Sequence, residues 1–540
     1  MKILLDLLGA ILLLSGASSA EELGESEFER YSALAENPIC INYSSEARLA
    51  SCGLFSAYQA ASLHDYIGRT GDILSATELA TVPGFTAELA EALRYFVSFE
   101  SHGAPGQRHS RQLRQTAMLR YSGGSCSVKY HARYGERAEA YLSFRNATTA
   151  SIAVYGRRPW KLVAGDFNAR IAQGLLAWSG FSMSGVPTVA SLRRNATGFS
   201  PTGSFSPSMR GLAAEWLTQR WSAGASATLD GRALGFASFS GRAYSLGINA
   251  CTGQASDGVS LNWRVGSGHI LCYGETAWRD APAAVCGISW APAYKTEAAL
   301  LLRWYSPDFD SKGSGAVRSS AKVRDEAGIS AGFSRRWFGL TADLAVHPEK
   351  LQQRKKGYEQ MKTIMNITPV LSIGRTELKP SLRWTERMRL NPATNGFEAE
   401  WRHDLRACLD AALDGWKAGI KLNGVQNTGS RAGLLASVEG GYRTPSDTAR
   451  LQLFCFLRAS ACDTPDWASR IYSYERDLPG AFNVPAWYGR MHGASLVAGL
   501  KYRRRRVRHQ LNLRCAITRY ARESGKAPRT ELKLQYQLSL

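Results

Sequence analysis

Apolar and polar residues alternate without a break over 531–540. Leu532, Leu534, Tyr536, Leu538 and Leu540 fall on one face of an extended chain, and Glu531, Lys533, Gln535, Gln537 and Ser539 on the other, because successive strand side chains point to opposite sides. The same period of two returns over 294–305, 448–458 and 510–520, with turn clusters such as Thr252-Gly253, Asn391-Pro392 and Ser524-Gly525 between such runs. These runs reach roughly ten residues, twice the usual strand length in soluble proteins and the length of a tilted membrane-crossing strand. At about twenty residues per strand and connection, 125–540 predicts one antiparallel transmembrane β-barrel of about 20–22 strands, with lipid outside and a polar lumen inside. A soluble sheet protein of this size would divide into several domains, and no linker divides this stretch.

The first hundred residues have another rhythm. A basic start, an apolar stretch over 3–14 and small residues up to Ala20 read as a signal peptide, 1–20, which predicts export. Apolar spacing predicts helices reaching Ala50, over 58–67, over 76–80 and over 87–97, so 21–101 reads as a small all-α periplasmic domain. Residues 102–124, polar and basic, read as the linker into the barrel.

Charge sharpens this division. The chain carries a net +21, yet residues 1–100 hold about 5 Lys/Arg against about 14 Asp/Glu. The densest basic run contains Arg503, Arg504, Arg505 and Arg506. If the chain ends in the periplasm these arginines form a periplasmic turn, and 459–491 becomes a long external loop. The acidic helical domain is then expected to dock on that basic turn. Arginines on polar strand faces (Arg303, Arg383, Arg387, Arg450, Arg514) offer a second use of charge, a basic lumen for an anionic polymer or solute.

Other chemistry is thin. The spacings Cys40/Cys52 and Cys455/Cys462 permit disulfides, and free thiols fit equally well. No Cys-x-x-Cys, His-Glu-x-x-His, Gly-x-Ser-x-Gly or phosphate-cradling Gly-Lys-Ser/Thr occurs. Asp308 and Asp310 sit in a loop-like stretch that lacks the later glutamate of a calcium loop. The expectation is a protein without catalytic residues, cofactor or metal.

Two resemblances add to this. Ile41-Asn42, Gly53-Leu54, the phrase LHDYIGRTG over 63–71, Glu78-Leu79 and Val82-Pro83-Gly84-Phe85 resemble the tandem helix-hairpin-helix module of competence-type DNA-binding proteins. The resemblance implies that Gly53, Leu54, Pro83, Gly84 and Phe85 form turns whose backbone N–H groups face DNA phosphates. The second glycine of each turn is replaced, by Phe55 and Thr86, and the segment is acidic, so a docking role without DNA stands beside the DNA-binding one. Gly165-Asp166-Phe167 to Gly174, Trp178-Ser179-Gly180-Phe181, the stretch 469–475, Val484-Pro485-Ala486 and Tyr488-Gly489 resemble a Bacteroidetes family that joins such a module to an outer-membrane barrel. That resemblance implies an outer-membrane location with lipid as neighbour. For function it implies passage or binding of DNA or another polyanion, or else a structural role in which the module docks on the barrel or on a protein partner.

Overall fold

The computed structural model describes most of 31–99 and 113–540. Outside the description lie 1–30 and 100–112, and the internal positions 32–33, 36–37, 45–47, 50–51, 56, 157–159, 181–185, 187, 195, 208, 219, 242, 254–256, 268, 294–295, 336, 355, 374–375, 392, 446–448, 505–506 and 522–525. The signal peptide, Arg505 and Arg506 therefore fall outside it.

A closed antiparallel barrel of 24 strands forms the wall. This exceeds the 20–22 expected from the sequence, because most connections at one end are tight turns of two or three residues. Leu113–Ser122, inside the expected linker, is the first wall strand, and it pairs with both Ser125–Tyr134 and Arg529–Ser539, which closes the sheet. Every wall strand runs antiparallel to its neighbours, so 113 and 540 lie at one end, here the near end. The connections there are short. At the far end the chain makes long excursions, 171–197, 306–325 and 464–489.

The alternation read from the sequence sets the two faces of the wall. On Thr296–Tyr305, Leu300, Leu302 and Trp304 point outward and are exposed, while Leu301, Arg303 and Tyr305 are buried inside. On Arg529–Ser539, Leu532, Leu534 and Tyr536 are exposed, and Gln535, Gln537 and Ser539 are buried. Aromatics ring both ends of the outer face, with Trp216, Trp221, Trp290 and Trp416 near, and Tyr121, Phe144, Trp278 and Trp304 far. An apolar band between two aromatic girdles is the surface that suits a bilayer. Cys455 points out and Cys462 in, so these two cannot pair; all ten cysteines are free thiols.

A barrel this wide leaves room for chain inside it, and four parts of the chain use that room. From the far end, 171–197 and 306–325 fold inward and share a core: Leu175, Leu176, Val189 and Leu192 from one, Phe309, Val317 and Val323 from the other, and Tyr273, Leu301 and Tyr305 from the wall. Asp310, in the second of these excursions, is partly exposed and lies 3.6 Å from Arg279.

Besides 464–489, taken up below, the remaining occupant is the segment 31–99. Its described helices are Ala57–Thr70, Ala76–Leu79 and Ala87–Leu93, the last two capped by Ser75 and Thr86. The segment is not purely helical as expected. After Leu93 the chain turns and Val97–Ser98 pairs in parallel with Ile39–Cys40, fastening its two ends together. Phe96 and Val97, which continue the helical rhythm in the sequence, are here a buried turn residue and the buried first residue of that strand.

The candidate functional site: an occupied lumen

The segment 31–99 sits in the near mouth of the barrel, against the inner side of Ser125–Tyr134, Ala138–Phe144, Thr148–Tyr155 and Met209–Leu217. Its hydrophobic core takes in Leu217 of the wall. Its polar anchor is Arg48. One guanidinium nitrogen lies 2.6 Å from Glu139 and 3.2 Å from the Tyr155 hydroxyl, and another 3.4 Å from Glu136. The guanidinium also stacks 4.9 Å from the centre of the Tyr155 ring. Arg48, Glu136 and Glu139 are all under a tenth exposed, so the pair is shielded from water. Burial by itself lowers the affinity of Arg48 for its proton, but Glu139, Tyr155, Glu136 and Tyr141 together outweigh it and hold Arg48 well above the ordinary arginine value. Two backbone contacts reinforce the anchor: Cys40 N–H donates to Glu136 at 3.3 Å, and Arg133 donates to the Pro38 carbonyl at 2.9 Å.

The expected docking therefore occurs with its polarity reversed. One of the segment's three arginines, Arg48, meets carboxylates of the wall, in place of the expected contact of segment carboxylates with Arg503 and Arg504. Arg503 and Arg504 end their strand exposed, and among the described residues no ion pair joins them to the segment. Nothing in the sequence marks Arg48 out, and its partners are one inward strand position, Glu139, and Glu136 in the turn just before that strand.

The five residues singled out for DNA divide in two. Leu54 and Phe85 are buried in the segment's core, and Phe85 meets Phe55 edge to face at 5.9 Å. Pro83 and Gly84 are exposed and Gly53 is partly so. Gly53 and Gly84 adopt positive φ, 78° and 92°, the left-handed conformation glycine reaches most readily. The structure thus brings both turns side by side, with Gln59 donating to the Gly84 carbonyl at 2.8 Å.

From the far end, 464–489 reaches inward as a strap. A short hairpin, Ile471–Tyr472 against Ala486–Trp487, sets its direction. Its acids then meet wall cations: Glu475 lies 2.9 Å from Arg514, and Asp477 2.6 Å from Lys533. Wall donors also take its carbonyls, Arg458 that of Tyr474 at 2.7 Å and Arg120 that of Pro479 at 2.9 Å. At the strap's inner end Phe482 packs against the hydrophobic core of the segment 31–99. The strap and that segment, entering from opposite ends, touch.

The expected row of lumen arginines is only partly a row. Arg303 is fully buried between Glu326 at 2.6 Å and Asp343 at 2.7 Å, and Arg514 is held by the strap, so neither presents open charge. Arg387 lies 3.1 Å from Glu359. Arg450 is exposed in a near-end turn and not on a strand. Open basic surface lies elsewhere: across Thr376–Leu390, Phe397–Leu413, Trp416–Asn427 and Gly433–Arg443, the partly exposed Arg383, Arg406, Lys417, Lys421 and Arg443 share the inner face with Asp404, Asp410 and Glu439.

No protein-family model matches the chain, and no curated protein matches it in sequence. Among solved structures, Pseudomonas aeruginosa OccK7 (OpdD) aligns at 11% identity over 79% of this chain and 97% of its own, with a TM-score of 0.30. Acinetobacter baumannii OccAB4 aligns at 8% identity over 81% and 100%, TM-score 0.30. CdiB from Acinetobacter baumannii aligns at 8% identity over 79% and 60%, TM-score 0.23. Overlays this loose carry no argument about the chain.

Proposed function

We propose that the chain is an outer-membrane barrel that passes anionic solutes, with 31–99 as a plug seated in its periplasmic mouth. The observation that carries this is Arg48, bound inside the wall by Glu139, Glu136 and Tyr155, because that buried ion pair holds the segment in the mouth of the barrel. The periplasmic assignment follows from short turns at the near end and long loops at the far one. The partly open sector of the inner wall, with more cations than acids, supports preference for anions. The reading gives the protein no catalytic step. Helical segment and barrel in one chain is also the arrangement of the Bacteroidetes family the sequence resembles.

Planar-bilayer recording tests this. The mature protein should show little conductance, and a protein lacking 21–101 should show large, anion-selective steps. Equal conductance from both would sink the plug. The alternative that the helical segment docks without binding DNA is the one its buried Leu54 and Phe85 favour. One feature speaks for a polyanion, the exposed left-handed turn at Pro83 and Gly84. Salt-dependent DNA binding by the intact protein, lost in Gly84→Asp, would establish that contact; binding unchanged by the substitution would remove it.

A further inference from the structure

One sector of the far rim departs from the aromatic girdle. Where other strands present Tyr121, Phe144, Trp278 or Trp304 outward, Leu451–Asp463, Arg490–Arg504 and Val507–Tyr520 present Asp463, Arg490, His492 and Arg519. Their register sets them side by side, with Asp463 opposite Arg490 and His492 opposite Arg519. Arg431, from the neighbouring far-end connection, reaches the Asp463 carboxylate at 2.6 Å, and Arg490 lies 3.6 Å from it. One carboxylate thus orients two guanidiniums, and Arg519 adds a third cation. Arg431, Arg490, His492 and Arg519 are exposed.

Directly below, the outward positions turn apolar: Ala494 with Ile517, Leu496 with Cys515, and Leu500 with Leu511, down to Tyr502. From His492 to Tyr502 is ten residues, or ~25 Å of height for a tilted strand, the depth of a hydrocarbon layer. A lipid-long apolar stripe capped at one end by three arginines has the form and charge of a phosphate-bearing lipid in negative.

We infer that this sector binds a lipid of the far-end leaflet through phosphate on its headgroup, with the acyl chains lying along the stripe. The inference rests on the outer face being lipid-facing, as proposed above.

The test uses the full-length protein in detergent and a variant carrying Arg431→Ser, Arg490→Ser and Arg519→Ser. Each is titrated with a glycolipid bearing headgroup phosphates and with the same lipid dephosphorylated. Wild type should prefer the phosphorylated lipid, and the triple variant should bind it on the order of a hundredfold more weakly. A second variant, Arg503→Ser with Arg504→Ser at the opposite rim, should bind like wild type. Equal binding by the triple variant, no preference for phosphate, or equal loss in the near-rim variant would overturn the site. So would saturation of the same arginines by inorganic phosphate at the lipid's own concentration, which would make the ligand a free anion. If neither protein enters vesicles as a heat-modifiable barrel, the membrane reading itself fails and the lipid site falls with it.

Discussion

Arg48 is where the plug is most vulnerable. Its charge is buried against Glu139 and Glu136, and removing one member of a buried pair strands the other, at a cost of about 3–5 kcal/mol. Arg48→Ala should therefore loosen 31–99 from the wall while leaving the wall's own sheet pairing untouched. The expected readout is rapid proteolysis within the segment and frequent channel openings in bilayers; a protected segment would count against the anchor. Glu139→Gln should act in the same direction but less, since the amide still accepts a hydrogen bond. The pH dependence has a definite sign. A guanidinium raised above its unfolded value contributes stability at every pH below that value, and loses it only as pH climbs through the folded value. Plug release should thus stay flat from neutral into alkaline solution, and an alkaline rise in proteolysis would show that Arg48 is not what holds it.

At the scale of elements, the strap 464–489 links the two ends of the lumen. Phe482 touches the plug's core, while Glu475 and Asp477 tie the same strap to Arg514 and Lys533. Phe482→Ala should remove about 1–2 kcal/mol, less than the ~3–5 for a fully buried phenylalanine, because this ring is only partly covered. Hydrogen exchange should then rise in the plug without rising in the wall. Strands were legible in the sequence wherever one face is uniformly apolar, as in Arg529–Ser539. Leu113–Ser122 was missed because Arg114 and Arg120 sit on its inner face within a basic, Gly-containing stretch, and a polar inner face looks like a linker until the partner strand is known. Strand number was underestimated because connection length was averaged, while the near-end turns are short. The destinations of 171–197, 306–325 and 464–489 could not be read, since a loop that folds into a barrel has the same polar and glycine-rich composition as one that leaves it. Gly165 shows the local cost of such folding: it adopts φ 92°, and a Cβ there would stand 2.2 Å from the Ala150 carbonyl oxygen, so only glycine lets the strand pass its neighbour before the chain turns inward.

For the whole molecule, two faces of the same strand should respond oppositely to charge. Leu457 points outward and Arg458 inward. Leu457→Arg places a cation against lipid and should cost about 2–4 kcal/mol in refolding into bilayers if the position lies near mid-depth, whereas Arg458→Leu should spare insertion and free the strap from its Tyr474 contact. Charge reversal at Arg406 and Lys417 should lower anion over cation permeability in the unplugged barrel; an unchanged reversal potential would place the ion path elsewhere. The meeting of Leu113–Ser122 with Arg529–Ser539 has a consequence in time. The cylinder is zipped along a seam between the earliest-made and the latest-made staves, so it stays an open sheet with two sticky edges until Arg529–Ser539 arrives. The plug precedes the first stave in the chain and must already be on the concave side when the seam shuts, or else be locked out. A chain cut back before Arg529 should leave both edges raw in a solvent that cannot satisfy them, and should accumulate as aggregate rather than as a leaky pore.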